Sequence, residues 1–336
     1  METTEMTKMT TLDDIAKLCG VSPSTVSRVL NNEPGIGQDT RENVMRICEE
    51  NSFTVQRRKR PLKRAQLNLM IVIPDEGERT INPFFDIKEV LNSINSNFTD
   101  EKKKIEILSF EDFSEQVLEE TFHSDGIILA FGSPRDEALK KLREKGIPYV
   151  FLNRDFPGEN YVCANNIKGM LKLGSMLSDR GYSRVGYLGC SSKMVNRDRY
   201  RGYQMARLES GYEPDPALVL ELKMVNDIDE NTVEAFRKAG CDAVMCFNDN
   251  FAVRFINEMQ DMGLKVPRDC AVTGFDCAPV REIFKPKLTT VNLSTYELGF
   301  FASRWLRDII LHRMDRTLHL EVEGDLVEGK TVEKKV

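Results

Sequence analysis

The sequence is poor in the residues and motifs that carry catalysis. Three histidines (His123, His312 and His319) occur in 336 residues, and none falls in a loop that follows a strand-like run. Eight cysteines, at 19, 48, 163, 190, 241, 246, 270 and 277, include no C-x-x-C pair. That argues against a zinc site or a dithiol motif and for reduced core residues. "GIG" at 35–37 lacks both a third glycine and a preceding strand, so it is no dinucleotide fingerprint. A nucleophile elbow and a phosphate loop are also missing. These absences speak against an enzyme and leave no cofactor or metal to place. No apolar run approaches the ~18–20 residues of a membrane span, and "METTEMTKMT" has no apolar signal core. The expected address is the cytoplasm, with no membrane partner and with residues 1–10 disordered.

What is present is charge, unevenly spread. The net charge is −6, which looks wrong for a partner of nucleic acid until the chain is divided. Lys8 to Arg64 holds 11 Lys and Arg against 7 Asp and Glu, a net of +4, and residues 65–336 carry −8. "RRKRPLKR", Arg57–Arg64, has six positive charges and no negative one. Such asymmetry suggests a basic arm serving an acidic body.

Residues 11–56 have the punctuation of short helices. Thr11 is an N-cap with Asp13 and Asp14 in the first turn, and Leu12, Ile15, Ala16 and Leu18 form an apolar face that ends at Gly20. Ser22 caps a second helix with Pro23 at its first position. There Val26, Val29 and Leu30 point inward, which leaves Ser24, Thr25, Ser27 and Arg28 outward. "NNEPGIG" breaks the chain, and a third helix starts at Thr40 with Val44, Ile47 and Cys48 inward. Two short helices joined at "CGVS" form a helix-turn-helix, whose second helix can enter a DNA major groove.

From Leu67 onward, apolar runs alternate with helical patterns. "LNLMIVIP", "KIEILSF", "DGIILAF", "PYVFLN", "RVGYLGC", "DAVMCF" and "CAVTGFD" read as buried strands. Helix-like stretches separate them, so the body is expected to be α/β and doubly wound, with two lobes of parallel sheet. Ligands of such folds sit at the C-terminal ends of strands. The polar segments there are "NPFF" (82–85), "NRD" (153–155), "CSSKMVNRDRYRG", "FNDN" (247–250) and "GFD" (274–276). Asn, Asp and Arg beside Phe suit a sugar: polar groups bond hydroxyls while rings cover C–H faces. A flat purine or nucleoside is the alternative occupant. The C-terminal stretch from His319 reads as one last strand and a charged tail, without an apolar heptad for an extra oligomerising helix.

"TLDDIAKLCGVSPSTVSRVLNN" with "TRENVMRICEENSF" resembles the DNA-binding headpiece of the lactose-repressor (LacI) family of bacterial transcription regulators. The match runs through every turn of the three helices. "SDGIILA", "IPYVFLNRD", "GYSRVGYLG", "RYRGY", "NDN", "VPRDCAVTGFD" and "PKLTTVNLSTYELG" extend the resemblance over the body, which in that family is similar to periplasmic sugar-binding proteins. The resemblance implies an order of parts. A headpiece spans 11–56 and a basic hinge 57–66. One lobe takes 67–164 plus 295–320, and the other takes 165–294 plus 321–336. It further implies base reading by Pro23, Ser24 and Arg28, with Arg28 suited to guanine and Pro23 limited to apolar contact. Ser22, Thr25, Ser27, Asn31 and Thr40 are implied as phosphate contacts, with Thr11 at the same face.

Leu62 falls where the family wedges a leucine into the minor groove. Pro61 before it, and Arg57, Arg58, Lys59 and Arg60 in place of small residues, argue instead for a basic arm along phosphates. In the body the resemblance places effector contacts at Arg199, Asn248 and Asp276, with Phe84 and Phe85 stacking from the first lobe. Asn165 stands where the family has an acid, and Cys277 where a second aspartate is common. The expected whole is a homodimeric repressor of double-stranded operator DNA, switched by a small molecule, most simply a sugar. A transport solute-binding protein, the rival reading, needs a signal peptide and no headpiece.

Overall fold

The computed structural model describes residues 12–30, 36–50, 66–74, 87–213, 215–312, 314 and 316–335. The expectations for residues 1–10, Thr11, Asn31, Arg57, Arg58, Leu62, Phe84 and Phe85 lie outside the described residues. The chain divides into two compact units, residues 1–60 and 61–336.

In the first unit, α1 (Leu12–Cys19), α2 (Pro23–Leu30) and α3 (Gln38–Glu50) enclose Ile15, Ala16, Val26, Val29, Val44, Ile47 and Cys48. Gly20, at φ +68, ends α1. Its N–H bonds Lys17 O at 3.3 Å and that of Val21 bonds Ala16 O at 3.1 Å, a Schellman closure that needs a left-handed residue between the helices. Leu18 is not part of the core face: it is 57% exposed. At 3.6 residues per turn it stands about 200° around the helix from Ala16, off the buried stripe. The third helix also begins two residues before Thr40, at Gln38.

The second unit starts with β1 (Leu67–Ile73), α4 (Ile87–Asn97), β2 (Lys103–Ser109), α5 (Phe110–Gln116), β3 (Gly126–Ala130), α6 (Asp136–Lys145), β4 (Tyr149–Leu152) and β5 (Tyr161–Ala164). It continues with α7 (Asn166–Asp179), β6 (Val185–Cys190), α8 (Asn196–Glu209), β7 (Val219–Leu222), α9 (Glu230–Lys238), β8 (Ala243–Cys246), α10 (Asp249–Asp261) and β9 (Ala271–Thr273). Then follow α11 (Val280–Ile283), β10 (Thr290–Val291), α12 (Thr295–His312), β11 (His319–Val322) and β12 (Leu326–Val327).

Two parallel sheets result, ordered β11-β5-β4-β3-β1-β2 and β7-β6-β8-β9, while β10 and β12 pair antiparallel. Helices on both faces explain the unbroken apolar strands. Leu69, Ile71, Ile128 and Val150 meet α4 and α12 on one face of the first sheet. Met70, Val72, Ile127, Leu129 and Phe151 meet α5 and α6 on the other. In the second sheet, Val244 and Cys246 face α9 and α10, whereas Tyr187 and Met245 face α7 and α8.

The C-terminal stretch supplies the expected strand, but its charged tail is packed against the body. His319–Val322 is the edge strand of the first sheet, two residues past the expected change of lobe at 320, and Leu326–Val327 pairs with β10. Thr331 and Val332 are buried, with Thr331 O accepting from Val272 N and Thr331 Oγ1 from Thr289 N. Buried threonine and valine between charged neighbours make this a packed strap. Among the described residues no helix is long and apolar enough to cross a membrane.

The chain passes between the sheets three times, at 164–166, 291–295 and 322–326. These crossovers are bonded to one another: Asn165 N to Val322 O and Asn292 N to Asp325 O, both at 2.8 Å. Lys168 pairs with Glu323. A Cβ on Gly324 would lie 2.1 Å from Asn292 O, so glycine is what lets two crossovers touch.

Candidate DNA-reading helix and effector cleft

In the helical unit, Ser22 Oγ accepts from Thr25 N at 3.1 Å and shares hydrogen bonds with Ser24 Oγ (2.7 Å) and Thr25 Oγ1 (2.8 Å). This caps α2 and fixes three hydroxyls at one helix end, where the dipole favours anions. Pro23, Ser24 and Arg28 are exposed, while Thr25, Ser27 and Thr40 are half-buried. The first turn of α2 thus offers hydroxyls and backbone N–H groups, with a guanidinium one turn further along.

Buried polar groups lie at the C-terminal ends of β4, β5, β6 and β8, among them Asn153, Asn166, Asn196 and Asn248. Arg199, on α8, is 2% exposed. Its Nε donates to Asn166 Oδ1 at 2.8 Å, Nη1 to Phe247 O at 2.6 Å and Nη2 to Asp276 Oδ1 at 2.6 Å. The guanidinium lies between the rings of Phe275, at 4.0 Å, and Phe247, at 4.8 Å. Charge pairing, three hydrogen bonds and two aromatic faces together offset the cost of burying it. Gly169 enables the arrangement: a Cβ there would meet the Phe275 ring at 2.6 Å.

Asp276 and Cys277 hold φ of +99 and +53, outside the usual region for residues with a side chain. Backbone bonds impose the first: Asp276 N donates to Val291 O and Asp276 O accepts from Leu293 N. The carboxylate is thus aimed by the crossover into α12.

Asn248 caps α10, its Oδ1 accepting from Phe251 N at 3.1 Å. Asn165 caps α7 in the same way, from Lys168 N at 2.9 Å. It is half-buried, and it is its neighbour Asn166 that reaches Arg199. Arg199, Asp276 and Asn166 therefore form one cluster, with Asn248 adjoining through Phe247.

Three further groups were not singled out individually from the sequence, although Arg154 and Asp249 lie in the strand-end segments read there. Asn166 shares its dipeptide with Asn165, and only the helix register says which of the two faces the arginine. Asp249 is fully buried, accepting from Thr290 Oγ1 and Ala278 N, both at 2.6 Å. Burial pushes its carboxyl up to about 8, nearby Asp276 adds to that, and the Thr290 hydrogen bond opposes it. Arg154, in the "NRD" segment, donates to Asn153 O at 2.6 Å. Burial lowers its pKa, and the Arg199 guanidinium lowers it further.

Comparison with known proteins agrees with both units. Residues 11–56 match the model of bacterial regulatory proteins of the lacI family, and residues 175–332 match a periplasmic binding protein-like domain. The HTH-type transcriptional regulator RegA of Clostridium saccharobutylicum is 28% identical, over 96% of this chain and 99% of its own. The structure of the transcriptional regulator CelR in complex with cellobiose superposes with a TM-score of 0.68 at 24% identity, covering 96% of this chain and 99% of that one. The lac repressor dimer bound to operator and the anti-inducer ONPF gives 0.62 at 20% identity, over 96% and 98%. With a lacI-type helix-turn-helix joined to a binding-protein-like body, the protein belongs to the lacI family of DNA-binding transcriptional regulators.

Proposed function

We propose that the protein is a repressor that grips a near-palindromic operator as a homodimer and is switched by a sugar or sugar derivative held between the two sheets. The observation that carries this reading is the buried Arg199–Asp276 pair. Of the five N–H groups of a guanidinium, Arg199 uses three on protein acceptors. Among the described residues this leaves two of its donors and the second oxygen of Asp276 for the adjacent hydroxyls of a sugar. The cellobiose held by CelR supports a sugar as occupant. The lac repressor captured as a dimer on its operator supports two headpieces reading two half-sites.

The DNA face is α2. Pro23, Ser24 and Arg28 read bases, Arg28 through its fork to guanine, and Ser22, Thr25, Ser27 and Thr40 hold phosphates. Effector binding alters operator affinity through differential contacts in the two states of the body, a coupling of about 1–3 kcal/mol.

The test selects operator DNA from a random duplex library with the full chain, then measures its affinity by fluorescence anisotropy with a panel of sugars. The expected outcome is a two-fold-symmetric site, a sugar that changes affinity roughly 5- to 150-fold, and relaxed selection at one base pair per half-site in Arg28→Ala. A protein that selects no sequence, or whose affinity no sugar alters, refutes the reading.

A further inference from the structure

We propose that Arg154 is a second effector-binding cation, and that with Arg199 it receives an anionic group, a phosphate monoester or a carboxylate, on the polyhydroxylated effector. This rests on the reading that the effector lies between the sheets, and it narrows the effector's chemistry.

The other buried guanidiniums of this body are each satisfied by the protein itself. Arg199 has an acid, an amide and a carbonyl. Arg281 donates to Leu288 O, Glu282 Oε1 and Glu328 O. Arg207 donates to Ser183 O and lies over the Tyr212 ring. Arg154 is half-buried, yet among the described residues its one hydrogen bond runs to the carbonyl of its own neighbour, Asn153. Among the described residues no carboxylate lies within ion-pair distance of it. Removing a guanidinium from water with so little in return is unfavourable, and its depressed pKa registers that burial. Proteins keep such a group where a ligand supplies the missing acceptors.

Its position points the same way. Asn153 and Arg154 directly follow β4, whose C-terminal end faces the crossover from β5 to α7. Asn153 is held at φ +58, its Oδ1 accepting from Ala164 N at 3.2 Å. Asn166 Nδ2 donates to Ala164 O at 3.1 Å, and Asn166 Oδ1 accepts from Arg199 Nε. One chain of hydrogen bonds therefore leads from the strand end that carries Arg154 to Arg199, and the two guanidiniums are near enough to repel. Asp276 counters part of that repulsion, but its Oδ1 is already engaged by Arg199. Asp155 is shared, since its charge acts on Arg197 as well as on Arg154. Arg197 has Asp198 as its own partner, so the two guanidiniums are left with Asp276, whose Oδ1 Arg199 holds, and the exposed Asp155, beside the donors that would take hydroxyls. A phosphate or carboxylate meets both cations, and a guanidinium binds either in a bidentate fork.

The experiment is calorimetric titration of the full chain, at fixed ionic strength, with glucose, cellobiose, glucose 6-phosphate, glucuronate and inorganic phosphate. Wild type is compared with Arg154→Gln and Arg154→Lys. The expected result is binding of an anionic member, weakened about 10- to 100-fold in Arg154→Gln and partly restored in Arg154→Lys, which keeps the charge and loses the fork. The ligand-free melting temperature of Arg154→Gln should be no lower than that of wild type, because the charge it removes is uncompensated. Preference for the phosphate or for the uronate distinguishes the two anions. Neutral sugars bound equally by wild type and Arg154→Gln, with anionic ones excluded, overturn the inference and leave the proposed function standing. Binding of no sugar, neutral or anionic, overturns both. A ligand-free Arg154→Gln protein that melts several degrees lower marks the residue as structural and overturns the inference alone.

Discussion

Asp249→Asn is the sharpest test of the buried polar chemistry. Asp249 opens α10 with no exposed surface, and both oxygens accept hydrogen bonds, from Thr290 Oγ1 and Ala278 N. Burial outweighs those bonds and lifts the carboxyl from 3.8 to about 8. Between these values the folded chain holds a proton that the unfolded chain releases. Stability therefore falls as pH rises through that window, by about 1.4 kcal/mol per unit, and is level on either side. Asparagine keeps the shape, accepting from Ala278 N with its oxygen and donating to Thr290 Oγ1 with its amide, but has no proton to lose. From pH 5 to pH 8 the stability gap between variant and wild type should widen by about 4 kcal/mol, or roughly 8–16 °C in melting temperature for a domain of this size. Melting curves of both proteins at half-unit steps from pH 5 to 9 measure it. A gap constant to within about 2 °C would mean that Asp249 ionises in the ordinary carboxylate range, and the reasoning from its burial fails.

Other substitutions test separate links. Arg199→Ala leaves Asp276 and Asn166 Oδ1 buried without a donor, and should cost about 3–5 kcal/mol in urea unfolding. Asp276→Asn keeps an acceptor for Arg199 and should cost less; equal losses would mean that the charge of Asp276, and not its hydrogen bond, carries the contribution. Ser22→Ala removes the cap of α2 and should lower the stability of the helical unit by about 0.5–2 kcal/mol. The helical circular dichroism of an isolated 1–60 fragment, followed on heating, reads this, and an unchanged transition rules out the cap. Gly324→Ala drives a methyl against Asn292 O, 2.1 Å from an ideal Cβ, and should cost about 1–3 kcal/mol. A neutral melting temperature would show that the crossovers are not tightly seated.

The legible part of this fold was the part written in period and punctuation. Strands buried on both faces announce themselves as apolar runs, and "GIILA" at Gly126–Ala130 is buried throughout. Edges are harder. Val219–Leu222 is a half-exposed edge strand, and "VLEL" carries neither alternation nor a full apolar run. Tyr161–Ala164 is four residues long, too short for a pattern to stand out from its loop. Site residues divide in the same way. Arg199 and Asp276 lie in motifs whose chemistry shows in the letters. Asp249 reads as an ordinary acidic first-turn residue, because its burial comes from Thr290 and Ala278, about 30 to 40 residues along the chain. Arg154 reads as loop polarity until the fold shows it half-buried with, among the described residues, no carboxylate within ion-pair distance.

The same contacts explain why a ligand in the cleft should be felt by the whole body. Asn166, which positions Arg199, begins α7 immediately after the first crossover. Asp276, which pairs with Arg199, takes its backbone conformation from Val291 and Leu293 at the second. The third crossover is tied to the first through Val322 O and the Lys168–Glu323 pair, and to the second through Asp325 O. A molecule bonded to Arg199 and Asp276 therefore pulls on the segments about which the sheets would rotate. Packed segments of this kind, with Gly324 against a carbonyl, switch between discrete arrangements instead of bending gradually. The groups that would recognise the effector are thus hydrogen-bonded directly to the hinge, Arg199 through Asn166 and Asp276 through Val291 and Leu293. No relay of distant side chains is required for binding to bias the arrangement of the two sheets.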